Sequence, residues 1–364
     1  MFLRRSRSPG TISNTDQRLA KSVCPVNPVA AFHGRKPLGL PFVDVSGVPK
    51  LMRGHIPSHF GKIGLHELSF VRRIRLRKTP IFFLALAFAL TCSAAAQAGP
   101  KGYLFIIGGG ERDAPLMKRY VQLAAGFGTG KVVVFTMASG VPQEVGPELV
   151  AEFKANGVKD VVFYQLTHEE AMRPDSARIL DGVGGVWFAG GDQARLTAAL
   201  LDTPIHKKML ELYEKGCVIG GTSAGAAVMS EVMITGDEKR TDNKEGSWEV
   251  IWANDVIRTR GFGFVKNAII DQHFVTRRRL NRLIATVIEN PKLVGVGIDE
   301  STAVLVRPDG RYEVLGESQV LVFDARRAKT FKAADNRLGA HGMTLQVLLP
   351  GDVYDVATGK VAAR

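Results

Sequence analysis

Cysteine is scarce in this chain. Its 364 residues hold three, Cys24, Cys92 and Cys217, and the first two fall within residues 1–98. One remaining cysteine excludes an intrachain disulfide in the rest of the chain. Cys217 follows the helix-like run Ile205–Lys215 and opens the apolar stretch Cys217–Val218–Ile219. A buried strand thiol is the expectation there, ahead of a redox or catalytic one. A basic excess is missing as well, once its location is considered. The formal net charge is +13, but residues 1–98 hold 15 of the 48 lysines and arginines and 3 of the 35 acidic residues. The remaining residues carry 33 basic against 32 acidic side chains, which argues against a nucleic-acid partner. No His/Cys/Asp spacing beyond residue 98 has the pattern of a metal site, and no cofactor is expected. There is no internal repeat.

Long apolar runs are absent too. The run Ile81–Leu90 is too short for a membrane span. It is preceded by the basic cluster Arg72–Lys78 and followed by small residues ending in Ala96–Gln97–Ala98. Basic, apolar and A-x-A-like parts in that order predict a secretory signal peptide at about residues 72–98, cleaved after Ala98. The product is expected to be exported, to the periplasm or the medium, and free of the membrane after cleavage. The preceding residues are rich in Pro, Gly, Ser and Arg, without a sustained period. They read as an upstream start, with Met52 as the alternative initiator, or as a disordered extension. Residues 1–98 are therefore set aside as a leader.

What remains alternates. Tyr103–Ile107, Lys131–Phe135, Val161–Tyr164, Gly185–Ala189 and Cys217–Gly220 are short apolar, strand-like runs. Between them lie helix-like segments at Ala114–Ala125, Pro147–Ala155, Ser176–Leu180, Gln193–Leu201 and Ile205–Lys215. Apolar strands separated by amphipathic helices predict an α/β fold with a mostly parallel sheet flanked by helices. Ligands bind beyond the carboxyl ends of such strands. Three glycine-rich turns fall there: Gly108–Gly110, Gly190–Gly191 and Gly220–Gly225. Gly236–Trp248 is charged and reads as an exposed loop or lid. Ala268–Ile270 is a strand, Arg278–Glu289 a helix, and Val294–Ile298 and Ala303–Val306 are strands. We expect a catalytic domain over 99–310 with a β-rich extension of the same domain over 311–364.

Gly221–Thr222–Ser223–Ala224–Gly225 is a G-x-S-x-G element between a strand and the helix-like Ala224–Ser230. Its glycines permit a sharp turn that lifts the Ser223 hydroxyl above the sheet edge, with helix N–H groups facing a developing oxyanion. A serine nucleophile needs a base and the base needs an orienting acid. His273, at the end of the Ala268–Ile270 strand, is the candidate base. Asp299 and Glu300 end the strand Val294–Ile298, and Asp271 is a third candidate acid. Serine, histidine, acid is not the chain order of an α/β-hydrolase, which disfavours an ordinary esterase.

Four motifs now stand in order: Gly190–Gly191–Asp192–Gln193, Gly221–Thr222–Ser223–Ala224–Gly225–Ala226, Asp271–Gln272–His273–Phe274 and Gly297–Ile298–Asp299–Glu300–Ser301–Thr302–Ala303. Together they resemble the signatures of cyanophycinases, peptidases of family S51, over about residues 103–306. The resemblance implies a flavodoxin-like fold similar to class I glutamine amidotransferases. It implies Ser223 as nucleophile, His273 as base and Glu300, not Asp299, as the acid. It also implies an oxyanion hole from the backbone N–H groups of Gly191 and Ala224. The substrate implied is cyanophycin, a poly-aspartate with arginine amide-linked to each β-carboxyl, cut to β-Asp-Arg dipeptides. Arg277, Arg279 and Arg282 are implied as binding arginines, and arginine suits carboxylates bidentately. Gln193, Gln272 and Asp271 join them as substrate-positioning residues, although Asp271, like Asp192, also reads as a brace for its turn. Asp237 and Glu245 are guesses for the guanidinium. A homodimer is compatible with the family. The competing readings are a dipeptidase of short aspartyl peptides and a non-catalytic cyanophycin-binding homologue. Glutamine amidotransferase chemistry is disfavoured because those enzymes use cysteine where Ser223 stands.

Overall fold

A computed structural model of the chain describes residues 99–239 and 250–362. The expected leader, with Cys24, Met52, Cys92 and the Ala98 cleavage site, lies outside the described residues, as does Glu245.

The chain begins with five parallel strands: β1 (Tyr103–Ile107), β2 (Lys131–Phe135), β3 (Val161–Tyr164), β4 (Val183–Phe188) and β5 (Val218–Thr222). They lie side by side in the order β1-β5-β4-β2-β3. The order of sequence is broken between β1 and its neighbour β5, which creates a crevice at the carboxyl ends. Helices α1 (Ala114–Ala125), α2 (Pro142–Ala155), α3 (His168–Ala171), α4 (Gln193–Leu200) and α5 (Pro204–Lys215) connect them, with a 3₁₀ turn at Ser176–Leu180. Residues such as Val132, Val133 and Val134 alternate between two buried layers, one on each face of the sheet. This is why the run Lys131–Phe135 is apolar throughout rather than alternating.

Helix α6 (Ala224–Ala227) follows β5 and is only four residues long, shorter than Ala224–Ser230 suggested. Strands β6 (Val232–Glu238) and β7 (Val256–Arg260) form an antiparallel pair. The expected charged loop is thus partly strand, because charges can ride on the solvent face of a ribbon. Of its remainder, residues 240–248 are outside the described residues. β8 (Ala268–Gln272), α7 (Leu280–Glu289) and β9 (Val294–Ile298) come next, with β8 and β9 parallel.

The C-terminal part is antiparallel. It comprises β10 (Thr302–Val306), β11 (Arg311–Gly316), β12 (Val320–Asp324), β13 (Lys329–Lys332), β14 (Leu338–His341), β15 (Thr344–Leu348), β16 (Val353–Asp355) and β17 (Lys360–Val361). Strands β10, β11, β16 and β17 extend the first sheet beyond β1 to nine strands. Strands β12 and β15 complete a second, four-stranded sheet in the order β15-β12-β9-β8. The fold is α/β, with a parallel core and an antiparallel flank.

Two sheets would place His273 and Ser223 on separate bodies unless something joined them. The Gly108–Gly110 turn does so. The Gly108 carbonyl accepts from the His273 N–H at 2.7 Å, and the Gly109 carbonyl accepts from the Ser301 N–H at 2.8 Å. The Gly108 N–H donates to the Thr302 carbonyl at 3.0 Å. The carboxyl end of β1 is thereby tied to the carboxyl ends of β8 and β9.

Helix boundaries shifted where proline was read too strictly. Helix α2 begins at Pro142 and carries Pro147 inside it, although Pro147 was expected to open it. Pro142 suits the first helical position and sets the start, while Pro147 lies inside the helix, where it lacks the N–H of a regular turn.

Candidate active site

Ser223 stands at the junction of β5 and α6 with φ +56° and ψ −113°. Such a backbone costs a non-glycine residue about 1–3 kcal/mol and persists only when its surroundings enforce it. Here the Ser223 N–H donates to the Ile107 carbonyl at 3.0 Å, and its carbonyl accepts from the Ala226 and Ala227 N–H groups. Gly225 makes the turn possible. A Cβ there would lie 2.2 Å from the Phe188 carbonyl oxygen. The hydroxyl is left half-buried at the crevice.

His273 ends β8 with φ +47°, and its ring is buried. Its Nε2 lies 2.9 Å from the Ser223 Oγ. Its Nδ1 lies 2.5 Å from the Glu300 Oε1. A carboxylate at Nδ1 fixes the tautomer: Nδ1 carries the proton and donates it, so Nε2 is free to accept from the serine. Burial lowers the imidazole pKa below the ordinary value. The Glu300 hydrogen bond opposes this, and the charges of Arg277 and Arg279 add to the lowering. The ring is consequently neutral near pH 7, as a base must be.

The sequence alone left the acid open among Asp299, Glu300 and Asp271. In the structure Glu300 faces the ring, while Asp299 turns to the other side. The Asp299 Oδ1 accepts from the Val275 N–H at 3.1 Å and from the Thr276 N–H and hydroxyl, both at 3.0 Å. Its Oδ2 accepts from the Ser318 hydroxyl at 3.0 Å. Burial would raise the Asp299 pKa, but hydrogen bonds led by Thr276 overrule it and hold the carboxyl below its usual range.

The Gly190–Gly191 turn closes the crevice. A Cβ on Gly190 would lie 3.4 Å from the Ser223 Cβ, and Gly191 has φ +134° and a Cβ on it would lie 2.1 Å from the Ala138 carbonyl oxygen. Among the described residues, neither the Gly191 nor the Ala224 N–H has a hydrogen-bond acceptor.

The model of peptidase family S51 matches residues 105–313. The chain belongs to that family. It is 32% identical over 274 residues to proteins named cyanophycinase from Synechococcus elongatus and Thermosynechococcus vestitus, covering 73% of this chain and 82% of each of those. A cyanophycinase from Geminocystis herdmanii is 29% identical over 264 residues, 70% of this chain and 94% of that one. The crystal structure of a peptidase from an acI-B1 actinobacterium superposes with a TM-score of 0.54 at 21% identity, covering 71% of this chain and 99% of that one, which speaks to fold alone.

As an S51 member the chain is a serine-type peptidase. Several residues expected to bind substrate are otherwise engaged. Asp271 and Arg282 are 1% and 2% exposed and pair with each other. The Arg282 Nε donates to the Asp271 Oδ2 at 2.8 Å, and its Nη2 donates to Oδ1. Their pairing ties β8 to α7, because a charge that deep requires a partner. The Gln193 amide is also committed: its Nε2 donates to the Ile234 carbonyl at 2.8 Å and the Thr235 carbonyl at 2.5 Å. Gln272 is buried and accepts from the Arg279 Nη1 at 2.7 Å through its side chain and at 2.8 Å through its carbonyl. Arg279 is half-buried, and burial with the neighbouring Arg282 charge brings its pKa down to about 10. Arg277 remains exposed. Asp192 caps α4 by accepting from the Ala194 N–H at 2.8 Å. Asp237 is not among the residues that line the cleft beside Ser223.

That cleft has a volume of about 350 Å³. Besides Ser223, His273 and the glycine turns, its walls include Arg112, Val145, Glu148, Leu149 and Glu152. None of these five stood out in the sequence. The spacing 145, 148, 149, 152 on α2 marks one helical face, which was the available signal.

Cys217 is buried and donates to the Gly184 carbonyl at 3.3 Å. Burial pushes its thiol up to about 12, so it stays protonated and inert.

Proposed function

We propose that this chain is an exported cyanophycinase that releases β-Asp-Arg dipeptides through a Ser223–His273–Glu300 relay. The observation that carries the reading is the continuous contact from Glu300 through His273 to Ser223, at 2.5 and 2.9 Å. Relatives named cyanophycinase, matching over most of both chains, supply the substrate.

In this mechanism the Ser223 hydroxyl passes its proton to the His273 Nε2 as its Oγ attacks a main-chain amide carbonyl of the polymer. The oxygen becomes an oxyanion held by the Gly191 and Ala224 N–H groups. Glu300 stabilises the imidazolium so formed. The C–N bond then breaks, and the leaving amine takes the proton from Nε2. A water molecule gives its proton to the same nitrogen and attacks the seryl ester. The Ser223 Oγ departs and recovers that proton. The exposed Arg277 is placed to meet aspartate carboxylates on the His273 side.

Export rests on the leader pattern Arg72–Lys78, Ile81–Leu90 and Ala96–Gln97–Ala98. It predicts enzyme outside the cytoplasm with an N-terminus at Gly99. The function is tested by incubating the purified protein with insoluble cyanophycin and identifying soluble products by mass spectrometry. Wild type is expected to release β-Asp-Arg and Ser223→Ala none. An intact polymer after incubation with wild type would remove the assignment.

A further inference from the structure

Substrate with an arginine on every residue brings a guanidinium into any site that cuts its backbone. Positive groups already surround the relay on one side, since the Arg277 and Arg279 charges reach the His273 ring. A guanidinium is repelled there and must be received elsewhere. Helix α2 supplies another part of the cleft lining. It contributes the half-buried Val145, the buried Leu149 and two carboxylates, Glu148 and Glu152, one turn apart.

The two carboxylates differ in what they already hold. Both Glu152 oxygens are taken by Arg112, whose Nε donates at 3.1 Å and whose Nη2 donates at 2.7 Å. Glu152 is therefore neutralised by a planar, bidentate partner. Glu148 has no hydrogen bond or ion pair with any described residue, and it is exposed to the same cleft. An uncompensated carboxylate is thus left in the cleft that Ser223 also lines, beside apolar side chains that suit the methylene stem of an arginine.

We propose that Glu148 is the specificity-determining residue that receives the substrate guanidinium, with Val145 and Leu149 packing against its stem. This deepens the cyanophycinase reading and rests on it. The Glu148 oxygens match the paired N–H donors of a guanidinium. The neutral urea of citrulline has nearly the same shape without the charge, so it isolates this contact.

The test uses two soluble oligomers of β-substituted poly-aspartate, one bearing arginine and one bearing citrulline. The ratio of their kcat/KM values is measured for wild type, Glu148→Gln and Glu148→Lys. Wild type is expected to favour arginine by about 10- to 100-fold, the range of a charge-assisted hydrogen-bonded contact. Glu148→Gln is expected to lose most of that preference, and Glu148→Lys to reverse it. A wild type without preference overturns the proposal, as does an unaltered ratio in a folded variant of either kind. Wild type that cuts neither oligomer nor cyanophycin removes the underlying reading. Activity on the arginine oligomer with an unaltered Glu148→Gln ratio removes the Glu148 assignment alone.

Discussion

Gly109 lies so close to the His273 ring that a Cβ on it would sit 2.2 Å from Cε1 and 2.4 Å from Nε2. The absence of a side chain at this position is what lets the imidazole reach the serine. Gly109 also has φ +109°, which an L side chain rarely adopts. Gly109→Ala is therefore expected to displace the ring and lower kcat by about 100-fold or more, since small misplacements of a reacting group have that effect. Steady-state kinetics, with circular dichroism to confirm the fold, checks this.

In the proposed relay, Glu300 holds the His273 tautomer. Glu300→Gln keeps the size of the side chain but offers an amide at Nδ1, which permits the wrong nitrogen to carry the proton. A fall in kcat of about 10³- to 10⁴-fold is expected, by analogy with the same change in other serine relays. The KM is expected to move little.

Asp299 acts at one remove, by clamping residues 275 and 276 and Ser318 around the end of β9. Asp299→Ala strips three donors in the 275–276 turn and the Ser318 hydroxyl of their acceptor. It is expected to destabilise the protein by about 1–3 kcal/mol and to lower kcat more than it raises KM. Asp299→Asn keeps an acceptor oxygen and should recover part of both losses. Because the folded pKa of Asp299 is depressed, its charged form adds stability above the unfolded pKa of about 4. That contribution is lost as pH falls through the folded pKa, so Asp299→Ala should flatten the acid side of a thermal-stability profile.

The pH dependence follows from His273. In the proposed relay the neutral ring is the base, and its pKa is lowered chiefly by burial. Activity should be lost as pH falls, with the limb of kcat/KM placed below the ordinary histidine value of about 6.5. The Arg277 charge contributes to the lowering. Arg277→Gln should therefore move the limb to higher pH, whatever it does to KM.

The Asp271–Arg282 pair separates a bracing role from a substrate-binding one. Removing one partner leaves the other charged and buried, at a cost of about 3–5 kcal/mol. Asp271→Ala is expected to lower the Tm sharply. A substrate-binding role would instead raise KM at constant Tm.

The parallel core was legible because buried strands such as Lys131–Phe135 are apolar throughout, with glycine turns at their ends. Ser223 was legible from its glycines and His273 from its position after a strand. The choice between Asp299 and Glu300 was not readable from pattern, since neighbours in sequence differ only in which way the turn after β9 points them. Asp271 and Arg282 entered as substrate ligands through the family resemblance, and eleven positions of chain gave no sign that their side chains pair. Strands β6 and β7 were hidden by their charges. Glu148 was one of many surface glutamates until α2 was packed beside the nucleophile.

The central claim is that Ser223 is a nucleophile activated by His273. Intact-mass spectrometry after exposure to a fluorophosphonate measures it most directly. The account predicts a single adduct on Ser223 in wild type, its loss in Ser223→Ala, and labelling slowed by orders of magnitude in His273→Ala. Equal labelling rates in wild type and His273→Ala, or an adduct on another residue, would contradict it.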